Sequence, residues 1–346
     1  MITITRLVLQ WHVTADCEQH CKHCYMYDSP TYESEKKNEL SFEDCIKVLD
    51  DFCETNKKLG SKPAINFSGG DPLIRNDFFK ILEECKKRKI PVQIIGNPYL
   101  INDEMAKKLK KLKIVSFQIS IDGLEKTHDE ERQVGSFKES LRALAVLKKH
   151  GIQTGCMFTV SKKNAKELIP LIKILNNKVD DFDFARMVPI GSAAKMKEYL
   201  FTANEYNKFL LKVFDTYRKI SKKSKTSYGT KENLWTLLFY EKGTFKPKKG
   251  EKLVREGCGM GIRHMTILSD GTVVPCRRMP IKVGKVPQES FYDIFLKSKE
   301  LQSVREIDKL EKCRKCELLN YCRGCPAVAY AMRGNSFAPD PQCWKK

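Results

Sequence analysis

The stretch RLVLQWHVTADCEQHCKHCY (residues 6–25) decides the fold. Its first part, RLVLQWHV (6–13), is a short and mainly apolar run, which predicts a strand. Three cysteines follow at once, Cys17, Cys21 and Cys24, with C-x3-C-x2-C spacing. Thiolates this close in sequence usually share a metal ion or an iron–sulfur cluster, whereas a structural zinc site would need a fourth Cys or His nearby. The stretch therefore predicts a strand that leads into a metal or cluster site.

Strands and helices continue to alternate up to about residue 190. Further strands are predicted at 64–70, 92–97, 115–123, 153–160 and 182–188. The helical stretches between them lie near 41–59, 76–89, 102–112, 134–150 and 163–177. Strands that alternate with helices predict an α/β fold with a parallel sheet and right-handed crossovers, either open or curled into a partial TIM-like barrel. Functional groups are then expected at the carboxyl ends of the strands, where the three cysteines lie.

Length, composition and charge exclude several classes of protein. A chain of 346 residues with 41% hydrophobic residues is long enough for about two domains. No apolar run approaches the roughly 20 residues of a transmembrane helix and no signal peptide is evident, so we expect a cytoplasmic protein with no membrane partner. The net charge of +20 is spread over helical faces such as EMAKKLKKLKI (104–114), which is typical of a solvated surface. We therefore expect an acidic electron carrier or peptide as a partner rather than nucleic acid.

The number and the grouping of the cysteines indicate how they are used. Fourteen cysteines in a chain without a secretion signal argue against a disulfide framework and favour metal or catalytic use. Ten of them fall in tight groups at 17–24 and 258–343. The other four are dispersed in apolar-periodic stretches, and we predict that they are ordinary buried residues: Cys45, Cys53, Cys85 and Cys156.

The composition changes in the C-terminal third. Two more helices are predicted at 203–222 and 231–241, and KGTFKPKKGEKLVREG (242–257) indicates a basic linker. MTILSDGTVVPC (265–276) alternates about an Asp-Gly turn, which predicts a β-hairpin. The chain is therefore predicted to have three parts: a partial barrel over 1–200, a helical and basic linker over 201–255, and a small cysteine-rich α+β domain over 256–346.

The N-terminal part resembles the radical S-adenosylmethionine (SAM) superfamily. The family signature C-x3-C-x-Φ-C is matched by Cys17, Cys21 and Cys24, with His23 at the usually aromatic position. A [4Fe–4S] cluster that is held by three cysteines leaves one iron without a protein ligand, and that iron can bind a small molecule. The resemblance thus implies a cluster on these cysteines with SAM bound to it.

Further motifs follow in the family's order. FSGGDP (67–72) ends strand two, where relatives carry a Gly-Gly-Glu-like stretch whose backbone binds the methionine amino group; taken alone, it would fit a plain glycine turn. GNP (96–98), QISIDG (118–123) and ARMVPIGSA (185–193) resemble the segments after strands three, four and six, the last of which packs on the adenine. Arg132 taken alone would fit a surface charge. The cofactor-binding residues that the resemblance implies are His23, Ser68, Gly69, Gly70, Asp71, Asn97, Ser120, Asp122 and Arg132.

The C-terminal cysteines resemble the SPASM domain, which binds two auxiliary [4Fe–4S] clusters. By that resemblance the first cluster would be held by Cys258, Cys276 and Cys325, and the second by Cys313, Cys316, Cys322 and Cys343. Many relatives read C-x2-C-x5-C-x3-C, whereas CRKCELLNYCRGC (313–325) ends in C-x2-C. A zinc ribbon is the alternative for this stretch, since C-x2-C pairs are also zinc spacings. With three cysteines, the first cluster would keep an open iron for a substrate thiolate or for His264.

The resemblance also implies a reaction. A reduced flavodoxin or ferredoxin would supply an electron, SAM would be cleaved, and a 5′-deoxyadenosyl radical would abstract hydrogen from the substrate. We expect a peptide maturase that forms a thioether or carbon–carbon crosslink in a ribosomally made, short precursor. Because strand one is predicted to begin at Arg6, such a maturase would use a separate leader-binding protein or recognise the core peptide directly. The alternatives are a haem-pathway enzyme that removes propionate side chains, an anaerobic sulfatase maturase, and a non-catalytic iron–sulfur or zinc scaffold or redox sensor.

Overall fold

Ten strands form one sheet in the computed structural model, which describes residues 5–345. The strands are β1 (Arg6–Thr14), β2 (Lys62–Gly69), β3 (Val92–Ile95), β4 (Ser116–Ser120), β5 (Gln153–Val160), β6 (Asp181–Arg186), β7 (Ser227–Tyr228), β8 (His264–Ile267), β9 (Thr272–Val274) and β10 (Gly284–Lys285). Their order across the sheet is β10-β9-β8-β1-β2-β3-β4-β5-β6-β7. The first six strands pair in parallel and in chain order, so the predicted partial barrel is confirmed.

Helices cover the outer face of these strands. They are α1 (Tyr32–Lys37), α2 (Phe42–Leu59), α3 (Phe78–Lys87), α4 (Asp103–Lys111), α5 (Glu125–Glu131), α6 (Ser136–Lys149), α7 (Leu168–Leu175), α8 (Ala203–Ile220), α9 (Trp235–Glu241), α10 (Phe291–Lys297), α11 (Lys299–Arg305) and α12 (Pro326–Arg333). The longest predicted helix, 41–59, is α2, and Ser41 caps it by accepting a hydrogen bond from the Asp44 amide at 3.1 Å. In the part of the chain that is described, no helix is long and apolar enough to cross a membrane.

The C-terminal hairpin extends the barrel sheet. The predicted turn is present between β8 and β9, and β8 pairs in parallel with β1. Gly271 has a φ of +85°, and a Cβ atom there would lie 2.1 Å from the Val286 carbonyl oxygen, so the turn requires glycine. The cysteine-rich region is therefore fixed to the same sheet as the N-terminal strands.

Helices α8 and α9 are part of the core. Tyr206, Leu210, Val213 and Trp235 are buried, and β7 adds an edge strand to β6. The basic stretch 242–257 that follows is mostly exposed. The segment predicted as a linker thus combines packed helices with an exposed tail, while the three domain boundaries stay predictions.

The dispersed cysteines pack as ordinary apolar residues. Cys45, Cys85 and Cys156 are buried in the core, and Cys53 is half-buried against it. Burial raises the pKa of the Cys45 thiol to about 12, which leaves it protonated and unreactive at neutral pH.

Candidate active site

A cavity opens at the carboxyl ends of the parallel strands. Its wall is built by the loop after β1, the ends of β2 to β6 and two segments of the C-terminal region. The predicted site residues that line it are Cys17, Cys21, His23, Cys24, Ser68, Gly69, Gly70, Asn97, Ser120, Arg132 and Cys325. The fold thus brings residues from both ends of the chain to one cavity.

The three N-terminal cysteines lie on the loop that follows β1. The Asn97 side-chain amide donates to Cys17 Sγ at 3.2 Å, and the Arg132 guanidinium lies 3.6 Å from Cys21 Sγ. Burial raises the pKa of Cys17 to about 12 and that of Cys21 to about 11, so both thiols stay protonated until a metal replaces the proton. Three half-buried thiols, two of them beside N–H donors, fit the ligand set of a cluster with one open iron.

A buried network holds Arg132, so the alternative of a surface charge is wrong. Its Nε donates to Asp122 Oδ2 at 2.6 Å, and Asp122 is completely buried. His23 bridges Asp122 and Glu131 at 3.2 Å each. Burial alone would raise the pKa of Asp122, but the charges of Arg132 and His23 hold it well below its usual range. Asp122 lies behind the cavity wall, where it orients Arg132 toward the cysteine loop.

Gly69 and Gly70 are needed because the end of β2 passes directly against the cysteine loop. A Cβ atom on Gly70 would lie 1.7 Å from the Asp16 carbonyl oxygen. One on Gly69, whose φ is +127°, would lie 2.0 Å from the Thr14 carbonyl oxygen. The glycines therefore let two backbones meet at the cavity, where the Gly70 amide donates to the Thr14 carbonyl at 2.9 Å.

Asp71 does not reach the cavity wall. Its side chain is fully buried and accepts from the Leu73 amide at 3.2 Å. Burial, and then the charge of Glu18, raises the pKa of this carboxyl well above its usual range. A neutral carboxyl that is enclosed in the protein cannot neutralise the positive charge of a ligand amino group in the cavity. Ser68 and Ser120, by contrast, both line the cavity.

The C-terminal cysteines form two sets. In the first, Cys258, Cys276 and Cys325 pack against one small apolar cluster. Burial raises the pKa of Cys325 to about 12, and the Arg278 charge opposes this rise. Arg278 interacts electrostatically with all three thiols of this set, so it would balance the negative charge of thiolates there.

The second set contains Cys313, Cys316, Cys322 and Cys343. The Cys316 amide donates to the Cys313 carbonyl at 2.9 Å, which places both residues on one tight turn. Burial raises the pKa of Cys313 to about 11 and that of Cys322 to about 12, and the charge of Cys343 raises both further. The four thiols have the number of ligands that a fully ligated cluster needs, although no three such side chains among residues 5–345 are gathered as in an occupied metal site.

The short C-x2-C ending separates the two sets. Arg323 has a φ of +134° and Gly324 a φ of +59°, so the chain turns sharply between Cys322 and Cys325. A Cβ atom on Gly324 would lie 2.6 Å from Asp340 Cβ, which explains the glycine. The turn places Cys322 in the second set and Cys325 in the first. A zinc ribbon on the four cysteines between 313 and 325 would need all four in one site, whereas Cys325 packs with Cys258 and Cys276.

Sequence reasoning missed a buried ion-pair triad beside the cavity. Arg186, at the end of β6, lies 2.8 Å from Glu232 and 2.9 Å from Asp340. Asp340 also accepts from the Cys325 amide at 2.8 Å. Arg186 and Asp340 are 154 positions apart, so no local pattern could have paired them.

Sequence reasoning also missed three cations on the cavity wall, Lys231, Arg277 and Arg278. The two arginines directly after Cys276 were the available signal. Lys231 is open to the cavity, yet the surrounding protein desolvates its ammonium group and lowers its pKa to about 8. His264 lies off this wall, and burial lowers its pKa to about 3, so it is neutral.

Comparison with known proteins finds family models that match both parts of the chain. The radical SAM superfamily model matches residues 11–175, and the SPASM model, an iron–sulfur cluster-binding domain, matches residues 258–326. The first match covers the cysteine loop and most of the barrel. The second covers six of the seven C-terminal cysteines, which are Cys258, Cys276, Cys313, Cys316, Cys322 and Cys325.

Individual relatives span nearly the whole chain. The AdoMet-dependent heme synthase of Oleidesulfovibrio alaskensis is 28% identical over 97% of this chain and 86% of that protein. Mycofactocin maturase MftC of Mycolicibacterium smegmatis is 24% identical over 97% of this chain and 82% of that protein. Streptococcus suis SuiB, solved with its precursor peptide SuiA, superposes with a TM-score of 0.77 at 19% identity, over 99% of this chain and 77% of that chain. The similarity to SuiB shows that the two chains share a fold.

Proposed function

We propose that this chain, which is a radical SAM/SPASM enzyme, crosslinks a cysteine-containing peptide by forming a thioether. Its cofactors are [4Fe–4S] clusters and SAM. The alternative of a non-catalytic scaffold is therefore excluded. The observation that carries the proposal is the position of Cys325, which lines the same cavity as Cys17, Cys21 and Cys24. A peptide thiol in this cavity would lie between the two cysteine groups.

The residues divide into three groups by their proposed roles. Cys17, Cys21 and Cys24 would hold the SAM cluster, and the SAM-binding wall would be Ser68, Gly69, Gly70, Asn97, Ser120 and Arg132. Cys258, Cys276 and Cys325 would hold the first auxiliary cluster, with one position left for the peptide sulfur. Cys313, Cys316, Cys322 and Cys343 would hold the second auxiliary cluster.

The bound cofactors supply a 5′-deoxyadenosyl radical that abstracts a hydrogen atom. A thioether that forms from an S–H and a C–H bond loses two hydrogens in total. One would leave in 5′-deoxyadenosine. The other would leave as the thiol proton and one electron, and the cluster that Cys258, Cys276 and Cys325 would hold could accept the electron. The electron consumed in SAM cleavage would come from a reduced flavodoxin or ferredoxin. The protein contributes the cavity, which keeps the two reacting groups together and away from water.

The test is an anaerobic assay of the reconstituted chain. We expect about twelve irons, four for each of three clusters, and 5′-deoxyadenosine on addition of dithionite and SAM. With a short cysteine-containing peptide, we expect a product that has lost two hydrogen atoms and no longer reacts with a thiol alkylating agent. A product that has lost two hydrogen atoms and still reacts with that agent would instead indicate a carbon–carbon crosslink.

A second candidate is removal of propionate side chains in the haem pathway. It is favoured by the identity to heme synthase, which extends over nearly the whole chain. Loss of the carboxyl group of a propionate, with one hydrogen atom abstracted and one electron given up, would release carbon dioxide and leave a vinyl group, and binding would shift the porphyrin absorption band. Porphyrin turnover without any change in the peptide would replace the first proposal by this one.

A further inference from the structure

One side of the cavity carries cations that the SAM and cluster assignments do not use. Arg277 follows the first-set cysteine Cys276, and Lys231 follows the edge strand β7; both line the cavity. Arg132, the cation nearest to the N-terminal cysteines, lies on the other side, after β4. The cavity thus has two separate cationic sides.

Arg277 lies among uncharged groups. Its guanidinium carbon is 5.5 Å from the centre of the Tyr25 ring, and the Tyr25 hydroxyl is 3.0 Å from His12 Nε2. Burial, together with the charge of Arg277, lowers the pKa of both His12 and His264 to about 3, so both rings are neutral. The neighbours of Arg277 therefore offer it a ring face but no negative charge.

The carboxylates near the two cations form no ion pair with them. Asp183, the one that acts on Lys231, accepts from the backbone amides of Phe184 and Lys231, and three others pair with other cations. Glu232 and Asp340 pair with Arg186, and Asp270 pairs with Lys285. Among residues 5–345, neither Arg277 nor Lys231 lies within ion-pair distance of a carboxylate. Lys231 is exposed and Arg277 is half-buried on the cavity wall, so both cations are free to pair with an anionic group that enters the cavity.

Lys231 also lines two neighbouring cavities. One is inside the barrel and is also lined by Asp183, and the other is an outer groove that is also lined by Trp235 and Phe245. The Lys231 backbone amide lies 3.4 Å from Asp183 Oδ1, which fixes the backbone at this residue. Lys231 is therefore shared by the outer groove and by the cavity that Cys325 lines.

We propose that Arg277 and Lys231 form an anion-binding subsite that holds a carboxylate group of the substrate in the cavity. That the substrate is a peptide rests on the proposed function. That it carries a carboxylate is inferred from the two cations alone. Arg278 is not part of the subsite, because its charge is directed to the three thiols of the first set. An aspartate or glutamate near the modified cysteine is the expected feature of the peptide.

The test compares matched ligands on the reconstituted full chain under anaerobic conditions. Two fluorescein-labelled peptides, Gly-Cys-Gly-Asp-Gly and Gly-Cys-Gly-Asn-Gly, differ only in one charge, and coproporphyrin III and its tetramethyl ester form a second pair. The wild type is expected to bind the Asp peptide at least about tenfold more tightly than the Asn peptide, because bonds to charged groups are strong. Arg277→Gln and Lys231→Met should each remove this preference, while Lys107→Met, on the exposed face of α4, should retain it.

The outcomes separate the subsite from the proposed function. If only coproporphyrin III binds, its ester does not, and Arg277→Gln weakens binding, the subsite is supported and the peptide reaction is overturned. If neither pair shows a preference for the charged member in the wild type, the subsite is overturned. It is also overturned if Arg277→Gln weakens SAM binding and leaves the preference intact, because Arg277 would then belong to SAM.

Discussion

The two cysteine-bearing regions of this chain are held in place in different ways. The N-terminal cysteines follow one strand, and they lie on a single loop next to the ends of β1, β2 and β3, where the pairing of β1 with β2 shifts register between His12 and Thr14. The C-terminal cysteines come from segments around 258, 276, 313–325 and 343, which are joined by short elements. The first region is therefore one loop, held by the strand ends and by side chains such as Asn97 and Arg132, whereas the second must be assembled from four separate segments. Variants that affect only one region can test this difference.

The largest expected effect is on activity, from Cys21→Ala. Loss of this thiol should remove the SAM cluster, lower the iron content by about four and abolish 5′-deoxyadenosine formation. The urea midpoint of the cluster-free chain should hardly change, because Cys21 is only half-buried and the loop is held by the strands. Iron analysis, product chromatography and urea unfolding measure the three quantities. Cys53→Ala, a half-buried cysteine outside the cavity, is the control, and full activity in Cys21→Ala would contradict the cluster assignment.

The next effect is on stability, from Arg186→Met. Breaking a buried ion-pair network costs about 3–5 kcal/mol, because it leaves uncompensated charges inside the protein. Arg186 connects β6 to the segment that carries Asp340 and Cys343, so we expect this loss in the urea unfolding of the cluster-free chain. On reconstitution, the iron of the auxiliary clusters should fall before that of the SAM cluster.

Lys108→Met is the matched control for Arg186→Met. It breaks the exposed pair of Lys108 with Glu104, which should contribute less than about 1 kcal/mol. Equal loss of iron from all three clusters in Arg186→Met would show that the C-terminal region is not especially dependent on this triad.

A smaller effect is expected at the point where the cysteine loop meets β2. Gly70→Ala would place a Cβ atom 1.7 Å from the Asp16 carbonyl oxygen, and the backbone must shift at a cost of about 1–3 kcal/mol. Because the shift moves the cavity wall, SAM affinity should fall as well. Gly155→Ala, whose Cβ would make ordinary contacts of 3.4 Å and more, is the control. Unchanged stability in Gly70→Ala, measured by urea unfolding, would mean that the two backbones can separate easily.

The comparison also shows what could be predicted from the sequence. The six parallel strands were predictable because each is a short apolar run between amphipathic helices, and the turn at Gly271 was predictable from its Asp-Gly pair. The roles of Gly70 and Gly324 were not, because the atoms that exclude a side chain there belong to other segments, Asp16 and Asp340. Arg186 and Lys231 carry no local pattern, since their function depends on partners and walls that only the tertiary fold assembles.

The smallest expected effect concerns Glu35, which joins the two regions. It lies in α1, just after the cysteine loop, and its carbonyl accepts from Ser269 Oγ of the C-terminal hairpin at 3.0 Å. Burial raises the pKa of the Glu35 carboxyl to about 7. The folded state therefore keeps a proton that the unfolded chain loses, and stability should fall as the pH rises from about 4.5 to about 7. Glu35→Gln should remove this dependence.

Urea unfolding of the cluster-free chain at two pH values measures the effect of Glu35. Glu35→Gln should be more stable than the wild type by about 1–2 kcal/mol at pH 8 and equal to it at pH 4.5. Glu33→Gln, an exposed position of the same helix, should show no such difference between the two pH values. If Glu35→Gln stabilises the chain equally at both pH values, ionisation of the Glu35 carboxyl does not weaken the contact between α1 and the hairpin. The two regions would then meet there through the Ser269 hydrogen bond and apolar packing alone.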